Sequence, residues 1–327
     1  IRRPPRSTLD RSSAASDVYK RQPLNLLALK QQFEYLGFRL VRAVCTLLPE
    51  PLATRMGATL GLLAGSLLRF RRVDVDRHLE WCFPERTLAW RRQVARASYA
   101  HLGREGVVLF RSRGWSADQI LERTRVVGFE LFQRAADSGD GVVLLTGHLG
   151  SLDIGGASIA ARGVPLDVVA KGMTNRRFEK DLFQARERIG MHVIEAGNAS
   201  AQALRSLRRG RVVALLGDQS AHRGGVPVSF FGRLASTHRG PALFPIRSGA
   251  SVFVAFAVRD QGWKHRYTVT FHHLPFVSTG DLNQDVPLLL GEYSTLLEAA
   301  GRATPEQYLW HHRRWKVPIQ EEQGSEQ

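Results

Sequence analysis

Two residues in the stretch VVLLTGHLGSLD, from Val142 to Asp153, are of the types needed for proton transfer: His148 and Asp153. A histidine titrates near neutrality, so it can take a proton from a hydroxyl and return it. A carboxylate on its other ring nitrogen fixes the tautomer and stabilises the imidazolium that forms. No serine or cysteine nucleophile is required when the acceptor brings its own hydroxyl. The spacing sets a condition. Within one helix, five residues at about 100° each put two side chains well over a quarter-turn apart. His148 and Asp153 therefore face each other only if His148 sits in a turn and Asp153 in the first turn of the next helix. Gly147 and Gly150 make that bend accessible. H-x4-D is a short pattern, and a tight strand–helix turn with an incidental histidine fits the same residues. A nucleotide loop with Asp167 about 20 residues on fits less well, because G-x-G-x-x-G is absent and Asp167 opens its strand.

Further candidates come from three other stretches. In NRRFEKDLFQARERI, from Asn175 to Ile189, Asn175 is a helix N-cap residue. Phe178, Leu182 and Ile189 share one face, and Arg186 falls on it too. A charge on an apolar face needs a ligand or a partner, and a buried salt bridge would serve as well. Arg188 points elsewhere, with Asp181 and Gln184. In VVALLGDQ, Asp218 and Gln219 follow a buried strand and should open onto the same edge as His148. Arg186, Asn175, Asp218 and Arg188 are the expected substrate contacts. A basic loop runs from His222 to Pro227, and Thr237 to Pro241 precedes a helix whose free N–H groups could hold a phosphate or carboxylate. Trp310 to Lys316, WHHRRWK, interleaves aromatics and bases, as at a membrane interface or in phosphate contacts. No recognised nucleic-acid motif accompanies it. No cysteine-rich or H-E-x-x-H pattern supports a zinc site.

These residues need a scaffold, and the hydropathy pattern supplies one. Val142–Leu145 is a short strand buried on both faces, followed by a helix over 151–161. Strands and helices then alternate: strand 167–170, helix 175–189, strand 192–195, helix 199–208, strand 212–216. Residues 251–258 and 266–271 read as further strands. This order predicts an α/β fold with a mostly parallel central sheet flanked by helices. His148 then lies at the carboxyl end of a central strand, where open α/β sheets hold their ligands.

The sequence has 327 residues, 43% of them hydrophobic, enough for one large domain with an appendage. The formal net charge is +16, and residues 1–22 contain six basic and two acidic residues, which leaves +12 for the rest. Such a surplus suggests an anionic partner. With only Cys45 and Cys82, a disulfide framework is not expected. Residues 1–22 read as a non-native or disordered leader. Residues 23–72 hold two apolar helical stretches split by Pro49-Glu50-Pro51 and closed by Arg69, Arg71 and Arg72. Arg39 and Arg42 make the first a poor membrane span. A hairpin lying in the interface of an anionic leaflet is expected, with a helical pair packed on the main domain as the other reading. Residues 73–318 form the expected catalytic domain and 319–327 a disordered tail.

The ordered segments RHLEWCFPE (77–85), GHLGSLD (147–153), the Asn175–Gly190 helix ending RERIG, LRRGRVVALLGDQ (207–219), VPVSFFGRLASTHRGPA (226–242) and PEQYLWHHRRWK (305–316) resemble the bacterial lipid A biosynthesis acyltransferases, the late lauroyl and myristoyl transferases. The resemblance runs from about Tyr35 to Lys316. It implies a glycerol-3-phosphate-acyltransferase-like fold, His148 and Asp153 as catalytic dyad, and an implicated arginine at Arg186. It further implies an acyl carrier protein thioester as donor with no cofactor, a lipid A precursor as acceptor, and a position on the cytoplasmic face of the inner membrane. Nucleic acid is not an expected partner. Most members read G-N-W-E or G-N-W-D where this chain has Gly150-Ser151-Leu152-Asp153, and His78 stands where asparagine is usual. Another glycolipid or a lysophospholipid is the alternative acceptor. A basic membrane- or nucleic-acid-binding protein without catalysis is the non-enzymatic alternative.

Overall fold

The computed structural model describes residues 24–170, 172, 175–221, 224–262 and 264–316. The expected leader, the tail and the His222–Arg223 part of the basic loop lie outside the described residues. Four helices come first: α1 (Leu24–Leu47), α2 (Glu50–Ser66), α3 (Arg72–Cys82) and α4 (Leu88–Arg111). The α/β part follows as α5 (Ala117–Arg123), β1 (Thr124–Val127), α6 (Phe129–Asp137), β2 (Val142–Thr146), α7 (Leu152–Ala161), β3 (Leu166–Ala170), α8 (Arg176–Arg188), β4 (Met191–Glu195), α9 (Ala199–Arg208) and β5 (Val212–Leu216). The chain continues through β6 (Val226–Phe230), β7 (Arg233–Thr237), α10 (Gly240–Ser248), β8 (Ser251–Arg259), β9 (Tyr267–Leu274) and α11 (Leu282–Ala303).

Seven strands form one sheet in the order β1-β9-β8-β2-β5-β3-β4, and β6-β7 is a separate hairpin. Within the large sheet β8 and β9 run antiparallel, and every other neighbouring pair is parallel. This is the expected α/β arrangement. Alternation along β2 assigns its side chains to two layers. Val143 and Leu145 join the layer of Leu289, Leu290 and Leu297 from α11. Val142 and Leu144 join Phe132 of α6 and Ala157 of α7. A strand buried on both faces needs a continuous apolar run, as VVLL provides.

The two amino-terminal helices differ in how they use their apolar residues. Among the described residues no helix is long and apolar enough to cross a membrane. The glycines of α2 are contact points with α4. A Cβ on Gly61 would lie 2.0 Å from the Tyr99 carbonyl oxygen, and one on Gly103 would lie 1.9 Å from the Gly57 carbonyl oxygen. Only glycine lets the two backbones approach this closely. In α1, Phe38 and Cys45 are buried, and Arg111 donates to the Cys45 and Leu48 carbonyls at 2.6 and 2.8 Å. The outer face of α1 carries exposed Phe33, Leu36, Leu40, Val44 and Leu47. The hairpin thus joins the main domain on one side and presents an apolar stripe on the other. Cys45 and Cys82 are both free and buried.

One surface expectation needs correction. In the Trp310–Lys316 strip, Trp310, His311 and Arg314 are buried. Arg314 donates to the Ser236 carbonyl at 2.7 Å and to Thr237 Oγ1 at 2.5 Å, so three of the seven residues of the strip are internal packing. Thr237, just before α10, is engaged by that contact. Arg208, Arg209 and Arg211, just before β5, lie at the amino edge of the sheet. The Arg211 carbonyl oxygen accepts from Val142 N at 3.3 Å, at the start of β2, and its guanidinium pairs with Asp167 near the start of β3, the edge opposite His148.

Candidate active site

The turn after β2 is fixed before any side chain is considered. Gly150 has φ +64°, and a Cβ there would lie 2.0 Å from the Ala257 carbonyl oxygen. Ser151 N donates to that oxygen at 2.9 Å, and Gly150 N donates to the Gln307 carbonyl at 3.0 Å. The ring of Tyr293 fills the space between the ends of β2 and β5, and its hydroxyl donates to the Thr146 carbonyl at 2.8 Å. A Cβ on Gly147 or Gly217 would meet this tyrosine or its neighbour Leu297. These contacts hold His148 in the turn and place Asp153 in the first turn of α7, as the spacing required.

His148 does not turn to Asp153. Its Nδ1 lies 2.8 Å from Asp218 Oδ1, and its backbone N donates to Asp218 Oδ2 at 2.8 Å. Adjacent β2 and β5 run parallel in register, so Asp218 emerges from the same sheet edge, as predicted for that residue. Asp218 is 1% exposed and the His148 side chain 19%. Burial pulls the imidazole down and the Asp218 charge and hydrogen bond outweigh it, leaving His148 above its ordinary range. Burial likewise raises Asp218, but the charge and hydrogen bonds of His148 dominate and hold it below the usual carboxylate value. An ionised Asp218 can only accept, so Nδ1 carries the proton and neutral His148 presents Nε2 as an acceptor. Among the described residues no hydrogen bond occupies Nε2.

Asp153 pairs with Arg186, whose Nε and Nη2 donate to Asp153 Oδ1 at 2.9 and 2.7 Å. The pair lines a small gap with Arg113, Leu182 and Met191. Arg186 therefore finds the ion-pair partner that its place on an apolar face demanded. Asn175 caps α8 by accepting from Arg177 N at 3.2 Å, and its side chain donates to the Gln31 carbonyl at 3.1 Å, which ties α8 to α1. Arg188 is exposed on the far face of α8. The expected substrate contacts are thus not gathered at one point.

Sequence spacing gave no sign of His312, Tyr308 or Arg314, which come from more than 150 residues downstream of His148. The His312 ring stacks on His148 with centroids 5.7 Å apart and planes 18° apart. Burial pushes His312 down to about 4. Tyr308 Oη stands 3.5 Å from Asp218 Oδ2, and the charge of Arg314 acts on the same carboxylate. Among the described residues no group of three or more His, Cys, Asp or Glu side chains is placed to hold a metal ion.

The profile of the bacterial lipid A biosynthesis acyltransferases matches residues 20–317. The chain belongs to this family. It is 25% identical over 273 residues to the lipid A biosynthesis palmitoleoyltransferase of Escherichia coli K12, covering 83% of this chain and 87% of that protein. It is 26% identical over 282 residues to the lipid A biosynthesis lauroyltransferase of the same organism, at 83% and 87%. The phosphatidylinositol mannoside acyltransferase of Mycolicibacterium smegmatis is 27% identical over 175 residues, 52% of this chain and 57% of that one. The chain is accordingly an acyltransferase, not a binding protein without catalysis.

Proposed function

We propose that this acyltransferase moves a fatty acyl chain from an acyl carrier protein thioester to a hydroxyl of a lipid A precursor, with His148 as general base. Neutral Nε2 of His148 takes the hydroxyl proton as the oxygen attacks the thioester carbonyl. The C–O ester bond forms, the C–S bond breaks, and the imidazolium returns the proton to the departing thiolate. Asp218 holds the ring and stabilises the imidazolium, while Asp153 acts through Arg186. Arg186, with Nη1 left over from the ion pair, is assigned to the negative charge developing on the carbonyl oxygen. The observation that carries the reading is the His148 Nδ1–Asp218 contact of 2.8 Å, which leaves Nε2 as the ring's acceptor.

The donor and the location rest on surface chemistry. An acyl carrier protein is acidic, and Arg176, Arg177 and Lys180 lie at the start of α8, beside the carboxyl edge of the sheet. The outer stripe of α1, with basic residues at the α2–α3 junction, suits the cytoplasmic face of an anionic inner membrane. The likeness to a phosphatidylinositol mannoside acyltransferase, with Ser151-Leu152 before Asp153, favours a second reading in which the acceptor is another glycolipid.

The test is acyl transfer from carrier-protein thioester to lipid A precursor in vesicles. His148→Ala should lose about 10²–10⁴-fold in rate while vesicle binding persists. An unchanged rate removes His148 as base. Transfer only to other glycolipids favours the second reading.

A further inference from the structure

A basic cleft of about 510 Å³ is bordered by Arg313, Trp315 and Lys316, from the same segment that places His312 against His148. Its charged lining comprises Arg69, Arg71, Arg72, Arg77, Arg313 and Lys316, with Asp74 as the carboxylate among them. Asp74 is already engaged, by Arg313 at 2.9 Å and Arg71 at 3.9 Å. Arg72 pairs with Asp76 at 2.8 Å. Arg69, Arg77 and Lys316 make no ion pair among the described residues, so the cleft has a net surplus of cations. Arg69 and Arg71 both take left-handed backbone conformations, with φ of 50° and 51°. L-residues adopt these at a cost, and two such positions in three residues set the cationic rim.

The walls are aromatic. Trp81 and Trp315 meet edge to face at 6.3 Å, and Trp315 lies 5.1 Å from the His78 ring. His78 Nδ1 is 2.8 Å from the Trp310 carbonyl oxygen, which anchors this wall to the 308–316 segment. Within that segment His312 stacks on His148, and the next residue, Arg313, faces the cleft. Two buried ring nitrogens there, His312 Nε2 and Trp315 Nε1, have no hydrogen-bond partner among the described residues. Exposed Leu67, Leu68, Phe70 and Val73 stand at the same corner.

We infer that this cleft binds the phosphate of a phosphorylated glycolipid acceptor and holds the headgroup beside His148. Arginine forks match phosphate oxygens, the partly exposed Trp81 and Trp315 side chains can border a sugar ring, and the exposed apolar residues suit the lipid chains. A fatty acid alone would leave the cations unused. The inference rests on the proposed acyl transfer and names the part of the acceptor that is recognised.

The experiment titrates the full chain with a glycolipid carrying a phosphomonoester and with the same glycolipid after phosphatase treatment. Turnover of both acceptors is measured alongside. Arg77→Gln with Lys316→Gln removes two exposed cations that make no ion pair; Arg77 lies over the Trp81 ring at 5.9 Å, so the melting temperature of the variant is measured alongside. In the wild type the phosphorylated form should bind about tenfold or more tightly, and the double variant should lose that preference. Equal affinity for both forms in the wild type overturns the inference. So does a variant defect seen only in sedimentation with anionic vesicles, or only in the KM for the thioester donor, because the phosphate would then belong to the membrane or the donor. A chain that prefers the phosphorylated form but acylates neither glycolipid counts against the proposed function and leaves the cleft assignment supported.

Discussion

Arg186 donates from Nε and Nη2 to a single oxygen of Asp153, at 2.9 and 2.7 Å. The two side chains are 19% and 28% exposed, so the pair is partly shielded from solvent. Lysine has no planar fork, and Arg186→Lys should lower both the melting temperature and the transfer rate. A double-mutant cycle with Asp153→Asn and Arg186→Gln should give a coupling of about 1 kcal/mol or more. Additive effects would mean that the two residues act separately.

The crossing of α2 and α4 predicts opposite outcomes for two glycine substitutions. Gly61→Ala places a Cβ 2.0 Å from the Tyr99 carbonyl oxygen, and backbone cannot swing aside. A loss of about 1–3 kcal/mol in denaturant unfolding is expected. Gly37, in α1, has nothing within 4 Å of its Cβ position. Gly37→Ala should stabilise by about 0.5–1 kcal/mol through helix propensity. If Gly61→Ala were as mild as Gly37→Ala, the close crossing would be wrong.

Stability should fall on mild acidification. Burial pushes His265, His311 and His312 down to about 4 each. Between pH 6.5 and about 4 the unfolded chain binds more protons at these positions than the folded one. Their contribution is therefore complete above pH 6.5 and lost as pH falls toward 4. His148 has the opposite sign, because its raised value favours the folded state below pH 6.5 and that gain is lost on the alkaline side. Unfolding midpoints measured from pH 7 to 4.5 should drop, and His311→Phe should make the slope shallower by up to about 1.4 kcal/mol per pH unit. A slope unaffected by His311→Phe would show that this histidine is not buried in neutral form.

The apolar stripe of α1 gives a membrane prediction. Leu36→Glu with Leu40→Glu, at positions 52% and 68% exposed, should reduce sedimentation with anionic vesicles while leaving the melting temperature within about 1 °C. Deletion through Leu68 is a poorer probe, since it strips α2 from α4. Undiminished sedimentation of the double variant would place the membrane contact elsewhere.

Much of the fold was legible because local rules dominate it. VVLL is apolar on both faces and must be a central strand, and the order of strands and helices follows from the change of period. Asn175 caps α8 for the reason that asparagine caps any helix. The partner of His148 was not legible from the five-residue spacing. That spacing allows Asp153 to approach, but Arg186 competes for the same carboxylate, and β5 brings in Asp218 from 70 positions away. Arg314 reads as a surface base in the sequence because a run of charges and aromatics looks solvated. Its burial depends on the β6–β7 hairpin, whose carbonyl and hydroxyl groups it meets. The glycines of α2 suited a lipid environment equally well until Gly103 and Tyr99 of α4 were placed against them.

The central claim is that Asp218 is the carboxylate that holds His148. The pH dependence of kcat/KM for acyl transfer tests it most directly, measured for the wild type, Asp218→Asn and Asp153→Asn. A general base works when unprotonated, so the wild-type rate should rise with pH through a limb above the ordinary histidine value. Asp218→Asn should lower the rate by about 10²-fold or more and move that limb to lower pH, because burial then acts on His148 without its carboxylate. Asp153→Asn should lower the rate and leave the limb in place. A limb that moves with Asp153→Asn and stays with Asp218→Asn would contradict the account.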